Sequence, residues 1–368
     1  MNVLPDFNRK VYCILGLPFD AVTMPEAVQR IRDAAASRSP CFLSTPNLNF
    51  LIGCQSDISF RNSVINSDLS VADGMPIVWL ARLLGIPITE RVAGSDLFEQ
   101  LGTAASTQLS VYFFGGTEGV AEAACKRLNT ASSGILCAGF ESPGFGSIQE
   151  MSSKKSIEKI NASGADFLLV SLGAKKGQAW IEYNRAHITV PIISHLGAVI
   201  NFVAGKLDRA PYWIQRTGLE WLWRIKEEPS LWRRYASDGL VLLKLLITRI
   251  VPYVWFIFWH KPTGQDLDSA AIELFDDGNE SVVHLHGAWV QNSLQPLREC
   301  FSRLALTDKN IRIELDKVTF ADSAIIGLLL LMYADRKSHG KRFLVCNLNK
   351  KLRKIFKWSC AEYLLYKQ

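Results

Sequence analysis

The chain has 368 residues, a length that accommodates two or three domains. Hydrophobic residues make up 48% of it and charged residues 21%, a balance that is typical of folded globular proteins and excludes an intrinsically disordered chain. The net charge is +6, and basic residues are concentrated at 205–249 and 350–357. Such clusters favour anionic partners, which include phosphorylated substrates, anionic lipid and nucleic acid.

The eight cysteines are scattered, none forms a C-x-x-C pair, and no histidine lies at ligand spacing beside them. This pattern predicts neither a disulfide framework nor a zinc site, and it favours a reducing cytosol. The first residues lack a basic region followed by a long apolar core, so we expect no signal peptide.

The first two-thirds of the chain alternate short apolar runs with amphipathic helical patterns. Strands are predicted at 11–15, 41–44, 69–72, 111–114, 135–137, 167–171 and 192–194. Helices are predicted at 25–35, 76–84, 97–106, 119–128, 152–161 and 178–186. This alternation predicts an α/β, Rossmann-like domain over residues 1–204, with a mainly parallel sheet covered on both faces. Ligands of such folds bind at the carboxyl ends of the strands.

Polar residues follow two of the predicted strands directly. Thr45 and Asn47 come after the strand at 41–44, and Asp73 comes after the strand at 69–72 and before Gly74. A carboxylate in this position suits a general base, because the glycine lets a substrate approach closely. Asp73 equally suits an N-cap for the following helix. Further along, Arg91 is a candidate to bind a phosphate group.

Two glycine-containing turns are candidate anion sites. Gly115 and Gly116 follow a predicted strand and open a helix, where backbone N–H groups can bind phosphate. Their spacing differs from the G-x-G-x-x-G pattern of dinucleotide sites, so we do not infer NAD. Gly173 leads into Lys175 and Lys176, which favours either a phosphate or sugar loop or a solvated turn.

We expect residues 205–260 to form a separate helical segment, called the appendage below, which is rich in arginine, tryptophan and apolar residues. Its first part, RAPYWIQRTGLEWLWRIKEEPSLWRRY at 209–235, favours a site for a phosphorylated, partly lipidic substrate, or an amphipathic helix packed on its own domain. Its second part, 239–259, is apolar but interrupted by Lys244, Arg249 and Pro252. Because the longest uncharged run is shorter than the ~20 residues that cross a bilayer, we expect an interfacial membrane helix. A core helix or a partner-binding helix is the alternative.

Residues 261–281 are polar and acidic, which predicts a linker. The remaining residues, 282–368, predict a small α/β domain. Its strands are expected at 282–286, 311–315 and 343–347, and its helices at 294–306, 323–338 and 350–358.

Five sequence blocks occur in a recognisable order over residues 10–236: STPNLNF, VADGMPIV, ERVAGSDL, SLGAKKGQAWI and LGAVINFVAGKLDRAPYWIQRTGLEWLWRIKEEPSLWRRY. Together they resemble the WecG/TagA/CpsF family of bacterial glycosyltransferases. The resemblance implies metal-independent transfer of a sugar, often of N-acetylmannosamine type, from a UDP-sugar to a polyprenyl-diphosphate-linked sugar during surface polysaccharide synthesis. It implies no cofactor, and it makes Asp73 the base. The residues that it and the strand ends implicate in substrate binding are Thr45, Asn47, Arg91, Gly115, Gly116, Gly173, Gln178, Arg209, Arg224, Arg233 and Arg234.

The chain departs from the family pattern at several positions. The usual G-x-P-K-Q-E run has Lys175, Gly177 and Gln178 in place of Pro, Gln and Glu, and an acid is replaced by Asn201. An appendage arginine is Leu231, where Arg233 is a candidate substitute. These changes leave open a rival hypothesis, in which the chain is a non-catalytic scaffold or sensor of lipid-linked sugars.

The run VTFADSA at 318–324, followed by an apolar helix, resembles the STAS domain of anti-sigma-factor antagonists. The resemblance makes Ser323 a candidate phosphorylation site, whereas its residue type equally suits a helix cap. It also implies binding to a protein partner or to the transferase domain. We expect an enzyme that is peripherally attached to the inner face of the cytoplasmic membrane. The sequence leaves homo-oligomerisation open. We expect no binding of nucleic acid.

Overall fold

The computed structural model describes residues 5–103, 108–131, 133–207, 210–211, 214 and 218–365. Up to residue 203 the elements are β1 (Val11–Ile14), β2 (Leu17–Asp20), α1 (Met24–Ser37), β3 (Cys41–Ser44), α2 (Leu48–Ser56), α3 (Ile58–Ile65), β4 (Leu69–Ser70), α4 (Met75–Leu83), α5 (Gly94–Thr103), β5 (Leu109–Gly115), α6 (Val120–Thr130), β6 (Ile135–Glu141), α7 (Lys154–Ala162), β7 (Phe167–Ser171), α8 (Ala174–Asn184), β8 (Ile192–His195) and α9 (Val199–Val203).

Six of these strands form one sheet in the order β4-β3-β8-β7-β5-β6, and every pairing is parallel. Apolar residues of α1, α5, α6 and α9 pack against one face, and those of α7 and α8 pack against the other. Burial on both faces explains why the strands have no alternating polar positions. The predicted α/β class is confirmed, and all six carboxyl ends lie along one edge.

The first predicted strand does not join this sheet. β1 pairs antiparallel with β2 in a separate hairpin, whose turn places Leu15 and Gly16 at positive φ. A buried pair between Arg9 and Asp20 fixes the hairpin, and Asp20 also accepts a hydrogen bond from Ser70 N at 2.8 Å. Residues 11–15 therefore form a strand, as predicted, but its assignment to the parallel sheet is wrong.

One pair of cysteines is bonded. Cys125 on α6 and Cys137 on β6 form a disulfide, because α6 packs on β6 and brings their Cα atoms to 5.1 Å. The scattered cysteines predicted no disulfide framework, and this single bond was not anticipated. Among the described residues, no group of three or more His, Cys, Asp or Glu could hold a metal ion.

The appendage consists of α10 (Glu220–Glu227), α11 (Trp232–Leu245), a wider turn at Leu246–Ile250 and α12 (Val251–Trp259). Helical structure is continuous over Pro229–Trp259, although Pro252 lacks an N–H group and its ring would crowd the preceding turn. The i→i+5 turn before Pro252 provides the room that the ring needs. The 31-residue helix is long and apolar enough to cross a membrane by length and composition alone, which the shorter uncharged run did not indicate.

The second domain contains α13 (Gly264–Asp268), β9 (Ala271–Asp276), β10 (Glu280–Trp289), α14 (Gln295–Ala305), β11 (Asn310–Ala321), α15 (Ser323–Ser338), β12 (Phe343–Cys346) and α16 (Lys350–Trp358). Its sheet has the order β12-β11-β10-β9, with β9 antiparallel. β9 and α13 lie within 261–281, so the stretch predicted as a linker is partly structured. β9 is an edge strand with mostly exposed side chains, which explains its linker-like composition.

The two domains share one hydrophobic core. The β1–β2 hairpin packs on α15 so closely that a Cβ at Gly327 would lie 2.4 Å from Val11 O. Arg298 donates a hydrogen bond to Arg9 O at 2.7 Å, and the Tyr363 hydroxyl donates to Gly16 O at 2.6 Å. The second domain is therefore docked on the first through buried apolar and polar contacts.

Candidate active site

Polar side chains from β3 and β4 meet at the carboxyl edge of the large sheet. Asp73 N donates to Pro46 O at 3.2 Å, which joins the two strand ends. Asn47 caps α2 by accepting a hydrogen bond from Phe50 N, and its Cβ lies 3.9 Å from where a Cβ on Gly74 would be. Thr45 is buried beside Gly94. The structure thus brings together Thr45, Asn47 and Asp73, as the strand-end positions indicated.

Asp73 does not act as the helix cap that its sequence position allowed. The N-cap of α4 is Gly74, which has φ of 116° and no side-chain cap. Such a φ is strained for any residue with a Cβ, so the glycine is required here. The Asp73 carboxylate lies instead within hydrogen-bonding reach of Gly94 N. The Asp73 carboxylate is therefore not committed to capping α4.

The electrostatic surroundings of Asp73 suit a general base. Burial is the largest influence and raises the pKa of its carboxyl group to about 6; nearby Arg91 and Arg224 oppose this rise, and Glu220 adds to it. At neutral pH such a group is mostly ionised, yet it accepts a proton more readily than an ordinary aspartate does.

Arg91 has two carboxylate partners. Its guanidinium contacts Asp96 at 2.6 Å and also pairs closely with Glu220 of α10, and only 10% of its side chain is exposed. Val92 N donates to Ala72 O at 2.9 Å, which places Arg91 beside the β4 end. Phosphate binding by Arg91 stays a prediction, because the structure shows the guanidinium engaged with carboxylates.

The glycine pair at the end of β5 has a packing role. Gly116 N donates to Ser171 O at 2.8 Å, and a Cβ on Gly115 would lie 2.5 Å from the same oxygen. The pair therefore permits close contact between two strand ends. α6 begins only at Val120, with Gly119 as its N-cap. This packing accounts for both glycines whether or not they bind an anion.

Gly173 caps α8 at φ of 83°, and a Cβ there would meet nothing within 4 Å. The loop beside it is therefore open. Lys175 is solvent-exposed but lies in the first turn of α8, where it pairs with Asp57 at 3.2 Å, so the interpretation of this stretch as a turn is wrong. A sugar or phosphate contact at Gly173 stays a prediction.

Gln178 lies beneath the site instead of on its surface. It is fully buried, and its Nε2 donates to Ser44 Oγ at 3.0 Å.

His195, which sequence reasoning missed, is also buried at the end of β8, and burial lowers its pKa to about 4. A Cβ on Gly177 would lie 2.1 Å from His195 Cδ2. The imidazole thus occupies the space that a side chain at position 177 would need, and this glycine was the available signal for the buried histidine.

The appendage arginines are not equivalent. Arg224 on α10 is close enough to Asp73 to influence its pKa and lies 6.0 Å from the Phe202 ring. Arg233 and Arg234 are exposed and lie over the aromatic rings that neighbour them in the chain, at 5.7 and 5.2 Å. No described contact places these two at Asp73. Arg209 lies outside the described residues.

In the second domain, Asp322 caps α15. Its side chain accepts hydrogen bonds from Ala324 N at 2.8 Å and Ile325 N at 3.1 Å. Ser323 is the first helical residue and is only 7% exposed. The interpretation of Ser323 as the cap is therefore wrong, because the preceding carboxylate occupies that role. Its phosphorylation stays a prediction.

A partly buried carboxylate flanked by guanidinium groups, at the carboxyl edge of a parallel sheet, is typical of enzymes that transfer groups on phosphorylated substrates. The chain belongs to the glycosyl transferase WecG/TagA/CpsF family, whose model matches residues 12–253. The Mlab, STAS domain model matches residues 273–364. Both resemblances are confirmed, and the chain is a hexosyltransferase fused to a STAS domain.

Two relatives illustrate the similarity. The N-acetylglucosaminyldiphosphoundecaprenol N-acetyl-beta-D-mannosaminyltransferase of Bacillus spizizenii is 28% identical over 197 residues, which cover 53% of this chain and 75% of that protein. The protein of the same name from Staphylococcus aureus strain MW2 is 25% identical over 248 residues, which cover 67% of this chain and 96% of that protein.

Proposed function

We propose that the chain transfers an N-acetylmannosamine-type or related hexose from a UDP-sugar to a polyprenyl-diphosphate-linked sugar, with inversion at the anomeric carbon and without a bound metal ion. The observation that carries the proposal is the Asp73 carboxylate, with a pKa of about 6, lying near Arg91 and Arg224 at the carboxyl edge of the sheet. The names of the relatives support the lipid-linked acceptor.

The reaction is a single displacement in which each group has one role. The Asp73 carboxylate takes the proton from the acceptor hydroxyl as the hydroxyl oxygen bonds to C1 of the donor sugar. The bond between C1 and the UDP oxygen breaks, and its electron pair stays on the diphosphate. Arg224 stabilises the charge that develops there, because a guanidinium group matches phosphate oxygens in geometry and sign. Thr45 and Asn47 line the same strand ends and orient the substrates.

A donor-panel assay tests this function. The full chain is mixed with a polyprenyl-diphosphate-GlcNAc analogue and with UDP-linked N-acetylmannosamine, N-acetylglucosamine, glucose or galactose, and UDP release is measured. We expect turnover with at least one donor, unchanged rates in EDTA because guanidinium groups supply the positive charge, and an inverted anomeric centre by NMR. Absence of turnover with every donor, alongside intact binding of the analogue, would instead support the sensor hypothesis.

Membrane association is a further part of the proposal. The helix at Pro229–Trp259 carries an exposed apolar stripe, which comprises Leu240, Leu243, Ile247, Val251, Trp255 and Phe258. These residues recur every three or four positions and therefore share one face, whereas Ile250 and Tyr253 are buried against the protein. Exposed Arg233, Arg234 and Lys244 suit an anionic surface. We propose that this face binds the cytoplasmic leaflet of the membrane, because a polyprenyl-linked acceptor would lie there. The cysteine pattern is not evidence for this location.

Vesicle sedimentation tests the stripe. Replacing both Ile247 and Val251 with Glu should weaken binding to phosphatidylglycerol-containing vesicles by on the order of 1,000-fold, because the two buried aliphatic side chains contribute roughly 2 kcal/mol each and every ~1.4 kcal/mol is tenfold in affinity. Activity on a short, water-soluble acceptor analogue should persist. Leu306→Glu is the control, since Leu306 is as exposed but lies in the second domain. Undiminished binding of the double variant would show that the stripe is not the anchor.

A further inference from the structure

Glu220 joins the appendage to the strand ends. It lies in the first turn of α10, and its carboxylate pairs with the guanidinium of Arg91. The side chain of Glu220 is 34% exposed and that of Arg91 is 10% exposed, so the pair is partly shielded from water. Arg91 itself is fixed by the backbone contact of its neighbour, Val92, with Ala72, the residue before Asp73. The pair therefore spans from α10 to the residues that flank the proposed base.

Within the described part of the chain, the ring contacts of α10 with other elements are loose: the Trp221 ring lies 6.2 Å from the Tyr235 ring, and Arg224 lies 6.0 Å from the Phe202 ring. None of the eight residues of α10 is fully buried, so it lacks the buried apolar face that normally fixes a helix on a domain. The chain just before it does approach α4: a Cβ on Gly218 would lie 2.9 Å from the Met75 side chain and 3.1 Å from the Trp79 ring. This close contact holds the N-terminal end of α10 but does not fix the rotation of the helix about its own axis. The Arg91–Glu220 pair can do so.

The rotation of α10 decides where Arg224 lies. Residues 220 and 224 are four positions apart and thus occupy the same side of the helix, one turn from each other. When Glu220 contacts Arg91, Arg224 lies close enough to Asp73 to act on it electrostatically. We propose that Glu220 is a positioning residue, whose ion pair with Arg91 holds α10 over the carboxyl edge of the sheet and sets Arg224 beside Asp73.

The second partner of Arg91 makes this contact releasable. Asp96 holds the same guanidinium at 2.6 Å, so α10 can move away without leaving a buried cation unpaired. A buried guanidinium group without any partner would be strongly unfavourable. Replacing one of the two carboxylate partners of Arg91 with water costs little. The contact between Glu220 and Arg91 can therefore break while Arg91 stays paired with Asp96. This role rests on the proposed function of Asp73 and Arg224.

Hydrogen exchange measures the contact without relying on activity. In Glu220→Gln, we expect faster exchange of the α10 amides while the β3, β5 and β7 amides are unchanged. Arg91→Gln should have the same effect on α10, and the double variant should add nothing further. Glu227→Gln is the matched control, because Glu227 is exposed at the other end of the same helix. Unchanged α10 exchange in Glu220→Gln would overturn the proposal.

Kinetics test whether Glu220 acts through Arg224. A misplacement of about 1 Å costs on the order of 10²-fold in rate, so Glu220→Gln should lower kcat by roughly 10-fold or more, and Glu220→Asp should recover part of it. In an Arg224→Gln background, Glu220→Gln should change kcat little. Equal losses in both backgrounds would refute positioning through Arg224. If the chain showed no transferase activity while α10 exchange still responded, the proposed function would fail and the contact would stand.

Discussion

Asp73→Asn is expected to lower kcat by about 10²–10⁴-fold, the contribution that a positioned general base makes. The amide has almost the same shape as the carboxylate, but it cannot accept the proton of the acceptor hydroxyl. Contacts of Arg91 and Arg224 with substrates would persist, so KM should change much less than kcat. UDP release with the best donor measures both constants. Asp33→Asn on the outer helix α1 serves as a control that changes the same charge at an exposed position.

The pH dependence should carry the signature of Asp73. Because burial raises its pKa to about 6, kcat should fall as pH drops through 6 and should reach a plateau above about 7. This acidic limb should be absent from the residual activity of Asp73→Asn. A limb that remained in the variant would assign the titration to another group and would remove the main support for Asp73 as the base.

The contribution of Asp73 to the stability of the fold should decrease as pH rises, whereas kcat should increase. The folded-state pKa of Asp73 is raised above its ordinary value, so the folded chain binds this proton more tightly than the unfolded chain does. Its contribution is therefore most favourable below the ordinary aspartate pKa and is lost as pH rises through about 6. We expect Asp73→Asn to melt at a higher temperature than the parent at pH 8. A large loss of Tm would mean that inactivity reflects unfolding.

The position of Asp73 was predictable because it depends on local features. A buried strand followed by an acid and a glycine defines a strand end, and parallel strands align their ends at one edge. The sequence could not decide between base and cap, since that choice depends on the positive φ of Gly74. Arg224 was predictable by family resemblance, but its approach to Asp73 was not visible in the sequence.

The role proposed for Glu220 could not be predicted from the sequence, because it depends on a long-range contact. Within a segment dominated by arginine and tryptophan, one glutamate is indistinguishable from a solvated helix residue until α10 lies against the Arg91 loop. The same limit explains the misassigned first strand. Four buried residues specify a strand, but its partner, β2, is set by a turn at Leu15 and Gly16 and by contacts with the second domain.

Gly327→Ala is expected to destabilise the folded chain by about 1–3 kcal/mol, although alanine is the better helix former. The added methyl group would lie 2.4 Å from Val11 O and 3.0 Å from Tyr12 N. Both are backbone atoms and cannot rotate away, so α15 and the β1–β2 hairpin must separate. Gly327→Val should enlarge the effect. Thermal unfolding followed by circular dichroism measures the loss, and hydrogen exchange of the hairpin amides locates it.

Gly239→Ala provides the matched control, because Gly239 is also helical but a Cβ there would meet nothing within 4 Å. That change should be neutral or stabilising. If Gly327→Ala melted at the parent temperature with an equally protected hairpin, close packing of the STAS domain on the transferase domain would be disproved. If the variant were destabilised and the hairpin amides alone gained exchange, the hairpin would be the element that couples the two domains. Because β2 is tied to β4 through Asp20, such a loss would reach the strand that ends beside Asp73.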